Sequence, residues 1–170
     1  MRQISCAEIV RTVSSLCLKA NSELGPDVMC ALEGALAQEE SPVGRDILRQ
    51  ILDNHRLAAE EGIPMCQDTG MAVVFLELGQ DVHIVGGDLT EAINEGVRQG
   101  YTEGYLRKSV VADPLRRVNT DDNTPAVIHI QVVPGNRLKI TVAPKGGGSE
   151  NMSALAMLPP AAGEEGLRRF

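Results

Sequence analysis

Apolar residues recur at helical spacing through the first third of the chain. In the first segment, seven small or apolar side chains share one stripe, and these are Cys6, Ile9, Val10, Val13, Leu16, Cys17 and Ala20. Residues three or four positions apart line one face of a helix, so this pattern predicts an amphipathic helix. Because a free cysteine behaves as a small hydrophobic residue, we expect both cysteines of this stripe to be buried.

Two further helices are indicated by the residues at which they would begin. One follows Gly25 and starts at Pro26, since proline at the first helical position needs no amide partner. It carries Cys30, which we also expect to be buried. The other begins near Ser41, and its apolar residues at helical spacing are Val43, Ile47, Leu48, Ile51, Leu52 and Ala58. Short connections predict that these helices pack as antiparallel neighbours, forming a helical front over residues 1–62.

Beyond residue 62 the pattern changes to that of strands. Residues 71–78 form a short apolar run that predicts a buried strand, and residues 81–85 alternate, so the two are expected to pair as a hairpin. Asp88 or Thr90 can then cap a helix. Strands are also predicted at 126–133 and 137–142, joined by a tight turn of Pro134, Gly135 and Asn136.

These elements predict one α/β domain over residues 1–170. Its helical front packs with a mixed or antiparallel β-sheet and flanking helices in a mixed α/β rear of residues 63–170. A further helix is expected to begin at Asn151 or Met152, directly after a glycine-rich loop.

Composition and charge narrow the function classes. A hydrophobic content of 43% with 23% charged residues is typical of a globular protein. A net charge of −7 argues against a nucleic-acid partner. The apolar runs are too short for a membrane span, and charges interrupt the first segment where a signal peptide would be apolar. We therefore expect a cytoplasmic protein that binds neither nucleic acid nor membrane.

The segment from Ile63 to Gly70 is the richest in chemistry. Cys66 is followed by an amide, a carboxylate and a hydroxyl, in a polar run bounded by Pro64 and Gly70. A thiolate is both a nucleophile and a metal ligand, so a loop that presents it beside Gln67 could be a metal or catalytic site. From the local pattern alone, an inert cysteine beside a turn is the more common case and the favoured interpretation.

Three other segments could contribute to a site. Lys145, Gly146, Gly147 and Gly148 follow a predicted strand, and such a loop can turn its N–H groups toward a carboxylate or phosphate or be a plain connection. Arg107 could grip a carboxylate or only complement the end of a helix. Residues 116–125 are rich in aspartate and asparagine, which predicts a structured loop whose side chains could order neighbouring active-site loops.

Four motifs occur along the chain in the order CQDTG, LRKS, NTDDNTPA and KGGGSENMS. Together they resemble the iron–sulfur hydro-lyases of the class I fumarase and L-tartrate dehydratase type. The resemblance is to the α subunit, or to the N-terminal catalytic part of single-chain members, and it runs from near the start to Phe170. Each motif alone is weak, whereas their joint occurrence in this order is specific.

The resemblance implies a 4Fe–4S cluster held by three cysteines, with one iron free to bind a 2-hydroxy diacid. It implies that Cys66 is the first cluster ligand and that Asp68 donates a proton to the leaving hydroxyl. The residues that it implies for substrate binding are Gln67, Arg107, Lys145, Gly147 and Gly148. Hydration of fumarate to L-malate is the favoured reaction and dehydration of tartrate the next. A β subunit or C-terminal domain would complete the active site.

The chain departs from this family in one respect, since it has no cysteine after Cys66. We therefore expect a truncated part of the catalytic subunit that carries no cluster, is inactive on its own and self-associates as a homo-oligomer through exposed apolar surface. The alternative is a non-catalytic dicarboxylate-binding or assembly module that never carried a cluster. Two further cysteines encoded beyond Phe170 would favour the enzyme, and a stop codon there would favour the module.

Overall fold

The computed structural model describes the backbone of residues 1–170 and every side chain except those of Ser149 and Glu150. Its helices and strands are β1 (Arg2–Ser5), α1 (Cys6–Ser22), α2 (Pro26–Gln38), α3 (Pro42–Glu61), β2 (Met71–Gly79), β3 (Val82–Val85), α4 (Leu89–Glu103), β4 (Val127–Val133), β5 (Leu138–Lys145) and α5 (Gly163–Arg169). Two 3₁₀ turns, Gly148–Met152 and Pro160–Ala162, lie near the C-terminal end. The α/β class predicted from the sequence is confirmed. None of the described helices is long and apolar enough to cross a membrane.

The predicted helix starts are confirmed by their capping interactions. Pro26 occupies the first turn of α2, and the Ser41 hydroxyl accepts a hydrogen bond from the Gly44 N–H at the start of α3. Asp88, one of the two candidates for the cap of α4, accepts a hydrogen bond from the Glu91 N–H at 2.9 Å. The Ser41 and Asp88 caps each satisfy an amide that has no partner inside its helix, whereas α2 has no side-chain cap and begins at a proline, which needs no amide partner.

The core is built where α1 and α4 cross at close range. A β-carbon at Gly96 would lie 2.7 Å from Cβ of Val13, and one at Gly100 would lie 2.9 Å from Cβ of Cys17. These two glycines therefore let the helix backbones approach. Cys6 and Cys17 are buried, as predicted, and burial raises the pKa of Cys17 to about 12.

A three-stranded sheet packs against these helices in the order β4-β2-β5. β2 pairs in parallel with β4 and antiparallel with β5. Its inward residues, Ala72, Val74 and Leu76, are buried, while the opposite face of β2 carries the half-exposed Phe75. This mixed pairing places the C-terminal end of β5 beside the N-terminal end of β2, where the candidate site lies.

The predicted hairpin of β2 with the following strand is wrong. β3 pairs in parallel with β1 instead, in a separate two-stranded sheet. The connection between β4 and β5 crosses the end of β2, where Gly79 N–H donates to Arg137 O at 2.8 Å and Gln80 N–H donates to Val133 O at 2.9 Å. The backbone groups that would close a hairpin after β2 are thus already bonded, and β4 and β5 flank β2 rather than pairing with each other.

Two helical predictions are also wrong in part. Cys30 is exposed, because α2 contains no buried residue among those described. The apolar stripe of α3 buries only Leu52 and Ala58 and leaves Val43 68% exposed. Apolar spacing predicts which face of a helix could be buried but does not supply the surface that covers it.

The helix expected from Asn151 or Met152 does not form. The chain makes a 3₁₀ turn over Gly148–Met152, and residues 153–159 are irregular. Leu155 is 91% exposed, so no tertiary packing supports a helix there, and short helices need such support. Pro159 and Pro160 also oppose a continuous helix at this position.

Candidate active site

The loop that carries Cys66 is anchored to two helices at its start. Gly62 ends α3 in the left-handed conformation, with a φ of 65°. The Met65 N–H then donates to Asn21 O at 2.9 Å, and Met65 O accepts from Asn54 Nδ2 at 2.9 Å. With both backbone groups of Met65 bonded, the next residue projects from a defined position.

Cys66 and Gln67 line an open cleft of about 440 Å³ together with Arg107 and Tyr105. Cys66 is exposed, and its thiol donates to Gln67 Oε1 at 3.6 Å. An exposed thiol at a cleft is accessible to a metal ion in a way that the buried cysteines of α1 are not.

A neighbouring cleft of about 210 Å³ contains the other predicted site residues. Asp68, Arg107, Ser109, Lys145 and Gly147 line it. Arg107 lies in both clefts and therefore joins them into one site. The cysteine loop, the LRKS segment and the glycine loop, which lie far apart in the sequence, thus meet at these two clefts.

The Asp68 carboxylate is held by backbone amides from two loops. Gly147 N–H donates to Oδ2 at 2.8 Å, and Gly70 N–H donates to Oδ1 at 3.1 Å. The bond from Gly147, then that from Gly70, and then the charge of Arg107 and the Gly148 amide lower the pKa of Asp68 below its usual value, against the opposing effect of desolvation. Asp68 is therefore ionised at neutral pH in this conformation.

The glycine loop does bind an anion, and that anion is a side chain of the protein itself. The sequence predicts that the loop cradles an external carboxylate or phosphate, whereas here its Gly147 amide donates to Asp68. Lys145 Nζ donates to Gly146 O at 2.6 Å within the same loop. Binding of an external anion by Gly147 and Gly148 stays a prediction, and it would require competition with Asp68 for the Gly147 amide.

Gly70 permits the close contact between the cysteine loop and the glycine loop. Its φ is 64°, and a β-carbon at this position would lie 2.4 Å from both C and O of Lys145 and 2.7 Å from N of Gly146. Those atoms belong to the backbone and cannot rotate away. Only glycine fits, so the geometry of the two loops depends on this residue.

Two hydrogen bonds that tie the loops together are not evident from the sequence motifs. The buried Tyr101 hydroxyl donates to Thr69 O at 2.7 Å, and the Thr69 hydroxyl donates to Arg107 O at 3.1 Å. Burial raises the pKa of Tyr101, which keeps its hydroxyl protonated as a donor. The pattern of apolar residues predicts the helix that carries Tyr101. No sequence pattern predicts the hydrogen bond from Tyr101 to Thr69, because the two residues lie far apart in the sequence.

The positions of the cysteines determine how the described residues could hold an iron–sulfur cluster. Cys66 is the cysteine at the cleft, since Cys6 and Cys17 are buried within α1 and Cys30 is exposed on α2. Among the residues that the structure describes, no three His, Cys, Asp or Glu side chains are grouped so as to hold a metal ion. Such clusters are held by several thiolates. Cys66 therefore fits as one ligand of such a cluster, and among the described residues no other cysteine lines either cleft.

The family model described as Fumarate hydratase (Fumerase) matches residues 10–170. The chain belongs to this family. It is 38% identical over 169 residues to a Methanocaldococcus jannaschii protein named as a candidate L(+)-tartrate dehydratase subunit alpha, which covers 96% of this chain and 59% of the relative. It is 40% identical over 119 residues to the anaerobic class I fumarate hydratase of Escherichia coli, which covers 69% of this chain and 22% of the relative.

A third relative has lower identity but greater coverage of this chain. The L(+)-tartrate dehydratase subunit alpha of Escherichia coli is 27% identical over 173 residues, covering 99% of this chain and 56% of the relative. The chain thus spans less than two thirds of the length of each of these relatives. Proteins named for fumarate and for tartrate both match it, which agrees with the family resemblance of the four motifs.

Proposed function

We propose that this chain supplies part of the active site of an iron–sulfur hydro-lyase that adds water to, or removes it from, a C4 dicarboxylate. The observation that carries the proposal is the convergence of Cys66, Asp68 and Arg107 on two adjoining clefts, with the glycine loop closing one side. Fumarate hydration to L-malate is proposed as the favoured reaction because it is the commoner metabolic role, and tartrate dehydration as the next; relatives named for both match this region.

Arg107 is proposed to bind a carboxylate of the substrate. A guanidinium presents paired N–H donors that match a carboxylate, and Arg107 lies at the junction of the two clefts. Gln67 adds a neutral hydrogen-bond donor in the larger cleft, and Lys145 adds a cationic donor in the smaller cleft. The backbone amides of Gly147 and Gly148 are proposed to hold the second carboxylate or an oxygen that gains charge during the reaction, in competition with Asp68, which accepts from Gly147 in this conformation.

Asp68 is proposed to transfer the proton of the hydroxyl group. In dehydration the carboxylic acid gives its proton to the departing hydroxyl, while a separate base outside the described residues removes the proton of the adjacent carbon. In hydration the carboxylate accepts a proton from water, and the second group returns a proton to that carbon, because each group serves both directions. Asp68 is ionised at neutral pH, since the amides of Gly147 and Gly70 favour its charged form. The conformation described here is therefore ready for hydration, and dehydration requires Asp68 to be protonated first.

Cys66 is proposed to be one ligand of a 4Fe–4S cluster. When bound, such a cluster would supply a Lewis acid that polarises the hydroxyl and carboxylate of the substrate. The further cluster ligands, and a β subunit or C-terminal domain that completes the site, are proposed to lie outside the described residues. A cytoplasmic homo-oligomer is the expected form of the enzyme.

The test replaces one exposed cysteine at a time. The complete gene product is prepared anaerobically with its β partner, and visible absorption and fumarate-to-malate turnover are recorded for wild type, Cys66→Ser and Cys30→Ser. Cys30 is the matched control, because it is also exposed but lies on α2. We expect Cys66→Ser to lose both the cluster absorption and the turnover, and Cys30→Ser to keep both. A Cys66→Ser protein with wild-type absorption and turnover would contradict the proposal, and a reconstituted wild type that binds dicarboxylate without absorption or turnover would favour a binding module.

A further inference from the structure

We propose that Asn123 is the positioning residue that fixes Arg107 relative to the cysteine loop. Asn123 is polar and yet 0% exposed, and it does not line either of the two clefts among the described residues. A buried amide side chain is costly unless its donors and acceptor are bonded, so its partners indicate what it does.

The partners of Asn123 belong to the two segments that form the site. Its Oδ1 accepts from Ser109 N–H at 2.7 Å, at the last residue of the LRKS motif, and from Val110 N–H at 3.2 Å, at the residue after it. Its Nδ2 donates to Gly70 O at 3.1 Å, at the end of the cysteine loop. One side chain thus bonds the backbones on which Arg107 and Asp68 lie, since Arg107 is two residues before Ser109 and Asp68 is two residues before Gly70.

The loop holds Asn123 in a backbone conformation suited to asparagine. Its φ is 62°, a left-handed conformation that asparagine adopts more readily than most other residues. The preceding residue, Asp122, accepts from Thr124 N–H at 2.9 Å and from Arg98 Nε at 3.0 Å, and Arg98 belongs to α4. Asn123 is therefore linked through Asp122 to a core helix, while Thr120 N–H, which donates to Val110 O at 3.1 Å, also ties its loop to the segment that follows Arg107.

If Arg107 binds the substrate carboxylate, as in the proposed function, then Asn123 affects substrate binding by fixing the position of Arg107. Without the side chain, the backbone segments that contain Ser109 and Gly70 would be joined directly by the hydrogen bond from the Thr69 hydroxyl to Arg107 O. The distance between the guanidinium and the Asp68 carboxylate would then vary. A displacement of about 1 Å in a positioning element can cost on the order of a hundredfold in rate or binding.

The primary test variant is Asn123→Gly, because glycine accepts the φ of 62° and removes only the side-chain bonds. Asn136→Gly is the control, since Asn136 is exposed in the connection between β4 and β5. Hydrogen exchange of the Ser109 and Val110 amides and the kcat and KM for fumarate are measured on the complete holoenzyme. We expect Asn123→Gly to exchange these amides about tenfold faster and to raise KM by about tenfold or more, with a smaller change in kcat. The control should match wild type in both.

Asn123→Asp provides a rescue that a general loss of packing would not produce. The neutral carboxylic acid has nearly the shape of the amide and can donate to Gly70 O, whereas the carboxylate cannot. Exchange and KM of this variant, taken relative to wild type at each pH, should therefore approach the wild-type values as the pH is lowered. If Asn123→Gly does not fold, this pH dependence carries the test, and its absence would overturn the proposal.

The two proposals fail in different ways. A wild-type holoenzyme without hydro-lyase activity would contradict the proposed function, while the exchange of the Ser109 and Val110 amides would still test the role of Asn123. An active wild type whose Asn123→Gly variant shows unchanged exchange would overturn the positioning role. Faster exchange with unchanged KM would reduce Asn123 to a structural residue and would also overturn it.

Discussion

Replacement of Gly70 by alanine should be far more damaging than the same change at another left-handed glycine. At Gly62, with a φ of 65°, an added β-carbon would have no atom within 4 Å, whereas at Gly70, with a φ of 64°, it would meet backbone C and O of Lys145 at 2.4 Å. The left-handed conformation costs an L-residue about 1–2 kcal/mol, and this cost applies to both sites. The backbone overlap at Gly70 adds about 1–3 kcal/mol, as overpacking does in a core.

The assay is urea unfolding of Gly70→Ala and Gly62→Ala beside wild type, followed by circular dichroism. With a slope of about 2 kcal/mol per M urea, the extra cost at Gly70 should lower the unfolding midpoint by about 0.5–1.5 M more than the change at Gly62. The slope itself should not change, because the surface exposed on unfolding is the same. Equal midpoints for the two variants would refute the close approach of the cysteine loop to residues 145 and 146.

Three further outcomes are expected from the same fold. Tyr101→Phe leaves Thr69 O without its donor and should cost about 1–3 kcal/mol of unfolding free energy in the urea assay, so an unchanged midpoint would contradict the bond. Burial opposes ionisation of Asp122, but hydrogen bonds from Thr124 and Arg98 outweigh this effect and lower its pKa to about 2. The stability that the ionised carboxylate contributes is therefore complete above about pH 5 and is lost as the pH falls toward 2. Over this pH range, Asp122→Asn should lose less unfolding free energy than wild type. Iodoacetamide should label Cys30 and Cys66 in the native chain and leave the two buried cysteines of α1 unlabelled in intact mass spectra, and labelling of all four would contradict the core.

The helices could be predicted because their signals are local. The apolar stripe of α1, the proline at the start of α2 and the Asp88 cap each act within a few residues. The pairing of strands could not be predicted in the same way, because each edge of β2 pairs with a strand that lies more than fifty residues later in the sequence. The four-residue β1 is too short for a periodic pattern to indicate it.

The candidate site shows the same division between local and distant signals. The residue types at Cys66, Asp68 and Arg107 are readable from the motifs, and their convergence follows from the family resemblance. That Asp68 itself occupies the amides of the glycine loop is a matter of three-dimensional contact between residues 68 and 147, which spacing does not encode. The buried bonds of Tyr101 and Asn123 are of the same kind, since each joins a side chain to the backbone of a remote loop.

The measurement that tests the central claim most directly is the KM for fumarate of an Arg107→Gln holoenzyme. Arg116→Gln is the matched control, because Arg116 is exposed and lines neither cleft among the described residues. Loss of a charge-assisted contact with a carboxylate should raise KM by about 10- to 100-fold in Arg107→Gln, while the control keeps the wild-type value. If Arg107→Gln and Arg116→Gln both show the wild-type KM, the two clefts are not where the dicarboxylate binds.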